Sequence, residues 1–111
     1  MPEPAGAGVA MGGAVVIGRI AIRDAVAWAD YRSRVAATLV PFGGTVVLRA
    51  AAGVQLGGQS DGEAADRRDV VVLHFDSAAL ARAWFDSAPY QAIVPLRQLG
   101  ADVELTLYPA A

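Results

Sequence analysis

Arg19, Arg49, His74 and Glu104 are the side chains whose types and spacing point to chemistry: each stands in one of the β-rich stretches of this 111-residue chain. His74 is the sole histidine, and imidazole is the group that titrates near neutral pH, so it is the candidate for moving a proton. The guanidinium groups of Arg19 and Arg49 stay charged and hold oxygens through paired N–H donors, and nearby they would favour neutral imidazole, the form a general base requires. Glu104 would push the other way. The set suits a small, partly apolar organic ligand carrying a carbonyl, carboxylate or phenol. The plain alternative is a solvated sheet face on which the charges do nothing more than meet water.

Such a set works only if the elements bring it to one side. Ala14–Ile22 (AVVIGRIAI) is β-branched and apolar and reads as a strand; Asp24 follows as a helix cap. From Ala25 to Val40, Trp28, Tyr31, Val35 and Leu39 recur at steps of three or four, which places them on one helix face. Pro41 and Gly43-Gly44 end that helix, and Thr45–Ala50 form a second strand. The stretch from Ala51 to Arg68 reads as a long mobile loop with a short extended piece at Val54–Leu56. Asp69–Phe75 is a third strand, Ser77 caps a helix carrying Leu80 and Trp84, and a helical segment around Tyr90–Leu99 is expected to be irregular at Pro95. Asp102–Tyr108 alternates polar and apolar residues and closes a βαββαβ order.

Faces follow from an internal equivalence. Ile22-Arg23-Asp24 and Phe75-Asp76-Ser77 each place an apolar residue, a spacer and a capping residue at a helix start. If Ile22 and Phe75 point at the helices, alternation puts Val16, Ile20, Val71 and Leu73 beside them, with Val46, Leu48, Val103, Leu105 and Leu107. Arg19, Val47, Arg49, Val72, His74 and Glu104 then face away. Trp28, Tyr31 and Trp84 read as packing residues. Tyr90 and Arg97 flank the irregular segment, where the arginine either closes one end of a pocket or caps helix carbonyls, so both join the ligand-binding candidates.

The run SAPYQAIVPLR from Ser87 to Arg97, straight after LARAWF, resembles the hallmark of the bacterial domain-of-unknown-function family thirteen-thirty. The resemblance extends over residues 14–108 through Asp24, Tyr31, Gly43-Gly44 and VVVLHF before Ser77. It implies an α+β, ferredoxin-like βαββαβ domain with a four-stranded antiparallel sheet, forming a dimeric α/β barrel in which the open sheet face meets its counterpart and encloses a pocket. It names no reaction. The chain departs from the family pattern at His74, where glutamate is usual, at Asp76, where proline is usual, and at Ala88-Pro89, where Pro-Glu is commoner.

Composition sets the remaining bounds. Hydrophobic residues make up 55% of the chain, enough for one domain over residues 14–109 behind a flexible lead-in at 1–13. Nine arginines against eleven acidic residues leave a net charge of −2, which gives no footprint for nucleic acid or an anionic membrane. No run approaches the ~20 apolar residues of a membrane span. The absence of cysteine suits a reducing cytoplasm and, with one histidine, excludes thiolate or histidine-rich zinc sites. Glycine pairs lack the strand-to-helix context of a nucleotide loop, so no cofactor is expected. Two readings remain: a cofactor-free homodimeric enzyme working by acid/base catalysis with His74 moving the proton, for which the resemblance to dimeric α/β barrels implies isomerisation, cyclisation, lactone chemistry or cofactor-independent oxygenation, or a non-catalytic ligand-binding or stress-associated dimer.

Overall fold

The computed structural model describes residues 12–54, 56–57, 65–66 and 68–110. In chain order the elements are β1 (Ala14–Ile22), α1 (Ala25–Leu39), a 3-10 turn (Val40–Phe42), β2 (Thr45–Ala50), β3 (Gly53–Val54), β4 (Ala65–Asp66), β5 (Asp69–Phe75), α2 (Ala78–Asp86), α3 (Ala88–Gly100) and β6 (Ala101–Pro109). Strands β2-β5-β1-β6 form an antiparallel four-stranded sheet in that order, which with the helices makes the ferredoxin-like fold. The short strands β3 and β4 pair with each other, so the expected extended piece begins one residue earlier and is half of a small hairpin. The lead-in and most of the loop at 51–68 lie outside the described residues.

Side-chain caps fix the helices where the sequence places them. The Asp24 carboxylate accepts from the Val26 and Ala27 amides, each at 3.0 Å, and Ser77 Oγ accepts from Leu80 N–H at 3.1 Å. Ser87 serves two helices: its hydroxyl donates to the Trp84 carbonyl at 2.7 Å and accepts from Tyr90 N–H at 3.3 Å. Helix α3 continues through Pro95 rather than breaking there. Pro95 and Gln91 are both exposed, so the Gln91 carbonyl that loses its intrahelical partner is open to water.

The core lies between one sheet face and the helices. Phe75, Trp84 and Tyr90 are its largest fully buried side chains, joined by Val16, Ile20, Trp28, Tyr31 and Leu73. Gly100 permits that layer to close, because a Cβ there would stand 2.7 Å from the Trp28 backbone nitrogen. Gly43 ends the 3-10 turn at φ 69°, a left-handed conformation that glycine adopts without steric cost.

Cross-strand partners share a face, so the register tests the alternation directly. Arg19 lies opposite both Val70 and Glu104, while His74 lies opposite Val15 and Thr45, all on the side away from the helices. Val16, Leu73 and Leu107 form a row beneath the helices, as expected. Ile22 keeps the expected parity but sits at the strand end and is 46% exposed, unlike fully buried Phe75. Strand β2 departs from expectation. Val46 opposes Leu73, but the next paired residue, Leu48, opposes Val72, so a bulge at Val47 reverses the parity beyond it. Leu48 therefore lies on the open face and Arg49, opposite Val71, on the helix face.

Candidate functional site

The bulge brings Arg49 to a cavity of about 250 Å³ between the sheet and α1. Sheet residues Ile20, Val71 and Leu73 line one side, and Trp28, Tyr31 and Val35 of α1 the other. That lining follows from the three- and four-residue steps of α1, which turn its aromatic stripe onto the sheet. Three charged side chains join them: Arg32 from α1, Arg49 from β2 and Asp69 at the start of β5. Both arginines are exposed and Asp69 is half-buried, so the charges stand where the cavity meets solvent. Arg49 and Asp69 are diagonal neighbours on the same face of adjacent strands, within reach of long side chains. Asp69 is the functional candidate that the sequence reading passes over, since an aspartate opening a strand reads as a boundary rather than as a site.

The other candidates are distributed. Arg19 and Glu104 are opposite each other in the β1–β6 register on the open face, where Arg68 binds Glu104 at 3.1 Å. His74 shares that face but stands four strand residues away along β1, about 13 Å from Arg19. The expected grouping of His74 with both arginines is thus corrected: distance separates it from Arg19, and the sheet itself separates it from Arg49. Its Nε2 is 2.7 Å from the Gly12 carbonyl oxygen. A carbonyl only accepts, so Nε2 carries the hydrogen and Nδ1 is the nitrogen left to take a proton.

Tyr90 lies in neither place. Its ring packs 4.3 Å from Trp84, and its hydroxyl receives Arg97 Nη1–H at 2.9 Å and meets the Tyr31 hydroxyl at 2.9 Å. Arg97 therefore neither caps carbonyls nor closes the open face. The helix-end carbonyls of α3 are held instead by Arg23, whose guanidinium donates to the carbonyls of Gln98 and Ala101 and pairs with Asp102 at 3.0 Å. Burial, reinforced by neighbouring Tyr90, raises the Tyr31 hydroxyl far above the ordinary tyrosine range, with Arg97 acting in the opposite direction. Tyr31 is a neutral hydroxyl at the cavity wall.

Among the described residues, no three His, Asp or Glu side chains converge as a metal site would require. No described helix is long and apolar enough to cross a membrane.

Residues 13–111 match the family model of DUF1330, a domain of unknown function. Among solved structures, a protein of unknown function from Rhodopseudomonas palustris is 20% identical and superposes with a TM-score of 0.69 over 100% of this chain and 95% of its own. SnoaB, a cofactor-independent oxygenase from Streptomyces nogalater, is 15% identical with a TM-score of 0.61, covering 88% of this chain and 92% of its own. A dimeric protein of unknown function with a ferredoxin-like fold from Bacteroides fragilis is 11% identical with a TM-score of 0.54, covering 87% and 95%. At these identities the likeness establishes the fold. No curated protein is significantly similar to the chain.

Proposed function

Because the chain belongs to the DUF1330 family, described only as a domain of unknown function, we propose its function from its own cavity: a cofactor-free acid/base enzyme acting on a small, partly apolar, oxygenated molecule. The observation that carries this reading is the pocket itself, with aromatic walls and a carboxylate beside an arginine at its opening. In this reading Arg49 holds a substrate oxygen, Asp69 accepts a proton from the adjacent carbon or hydroxyl, and Tyr31 donates a hydrogen bond to the developing enolate or phenolate. Reprotonation at another atom gives isomerisation or lactone rearrangement. Transfer of an electron from the enolate or phenolate to dioxygen, followed by radical recombination, gives oxygenation, the type of activity named for SnoaB, with which this chain shares its fold.

Proton abstraction is testable before the final product is known. Incubated in D2O without added metal or cofactor, the protein should catalyse deuterium exchange into at least one member of a panel of β-keto acids and phenols, followed by proton NMR. Asp69→Asn should slow that exchange by about 10²-fold. If panel members bind but none exchanges or consumes oxygen, the protein is a binding module and the enzymatic reading falls.

A second reading keeps the reaction on the open face, in a pocket completed by a second subunit. The hydrogen bond that orients the His74 ring through Nε2 to the Gly12 carbonyl, leaving Nδ1 as its other nitrogen, favours it. Substrate binding would then fall to Arg19 and Glu104. His74→Gln would abolish exchange while Asp69→Asn left it intact; the cavity reading requires the opposite pattern.

A further inference from the structure

We propose that the cavity selects an anionic ligand, an apolar acid of about one ring whose carboxylate is held at the opening by Arg49 with Arg32 beside it. This rests on the reading above that the cavity is the ligand site. The first ground is the bulge. Unbroken alternation would turn Leu48 inward and Arg49 outward; the extra residue at Val47 exchanges them, so a guanidinium replaces an isobutyl group at the lip of a largely apolar cavity. Burial alone would favour the leucine. The exchange makes sense for recognition of charge.

The second ground is the state of these arginines. Arg23, Arg34 and Arg97 are each engaged in ion pairs or hydrogen bonds, whereas Arg32 and Arg49 make none with the described residues. Their N–H donors are available in the fork geometry that matches a carboxylate. The third ground is charge: among the described residues two guanidinium groups face one carboxylate, Asp69, so the described lining of the opening carries a net positive charge in a chain whose total is −2. A cavity of about 250 Å³ lies just below the usual ~300–1,000 Å³ range of ligand pockets, which limits the apolar body to about one ring.

The chain supplies its own reporter. Trp28 and Trp84 are its only tryptophans and both line the cavity. Tryptophan emission should therefore respond to titration with phenylacetate and with phenylacetamide, a neutral isostere of the same shape. Phenylacetate is expected to bind at least ~10-fold more tightly, with the advantage shrinking as salt is added. Arg49→Gln should remove the preference by weakening the acid far more than the amide, Asp69→Asn should tighten the acid several-fold, and Arg34→Gln, on the outer side of α1, should change nothing. Arg49 is exposed on an edge strand, and circular dichroism checks that the variant keeps its fold. Equal binding of acid and amide overturns the anion inference and leaves the cavity as a ligand site. Preference that survives Arg49→Gln overturns the assignment to Arg49. If neither compound alters tryptophan emission, the cavity reading falls and this inference with it.

Discussion

At the scale of single residues, the buried hydroxyl pair is the feature with the sharpest consequence for pH. The Tyr31 hydroxyl is held neutral by burial and by Tyr90, so its folded pKa lies above its ordinary value of 10.0. Stability from this group is fully present below that value. As pH rises past it the unfolded chain loses the proton while the native chain keeps it, and stability falls by about 1.4 kcal/mol per pH unit. Tyr31→Phe should cost about 1 kcal/mol at neutral pH through the lost hydrogen bond, and should flatten the alkaline decline by one proton's slope. Urea unfolding of both proteins across the alkaline range reads this difference. Parallel slopes would mean that Tyr31 ionises normally. None of this is visible in the sequence, where Tyr31 shows helical core spacing and Tyr90 and Arg97 read as pocket residues. Their meeting depends on the α1–α3 approach that Gly100 permits.

At the scale of elements, what was legible tracks how local the governing physics is. The bounds of β1, β2 and β5 and the caps Asp24 and Ser77 follow from β-branched runs and capping side chains, and all are found where expected. The bulge was not legible. TVVLRA has no glycine or proline to mark it, and its continuous apolar run has no alternation from which parity could be read; only the partner strand decides. The faces of Arg19, His74 and Glu104 were therefore recovered, and that of Arg49 was reversed. Deleting Val47 tests the consequence. The shortened strand should regain simple alternation without exchanging faces, because Val46 stays opposite Leu73, Leu48 opposite Val72 on the open face and Arg49 opposite Val71 at the cavity. The variant is expected to fold, because β2 is an edge strand with one hydrogen-bonded neighbour. It should therefore keep the preference for phenylacetate over phenylacetamide. Lost preference in a folded variant would mean that the bulged backbone itself, and not only the inward face of Arg49, positions the guanidinium.

At the scale of the whole molecule, the open sheet face sets the expectation of association. Ile17, Val72 and Leu48 form a cross-strand row at its centre, and Leu48 and nearby Val47 are 48% and 50% exposed. An apolar row of this kind, on a face that also carries Val15 and Val70, is the mark of a covered surface, and a two-fold pairing would bring the row onto itself. We expect a homodimer, with light scattering reporting twice the chain mass at micromolar protein. Val72→Asp places an unpaired carboxylate in the middle of that contact, at a cost of about 3–5 kcal/mol for each copy, and should yield a monomer. The same variant separates the two candidate pockets. The helix-side cavity is built within one chain, so the monomer should still bind phenylacetate with its tryptophans reporting, whereas a pocket enclosed between subunits around His74 would vanish with the dimer. A soluble wild-type monomer would remove the association argument, and loss of ligand binding in a folded Val72→Asp monomer would move the site from the cavity to the open face.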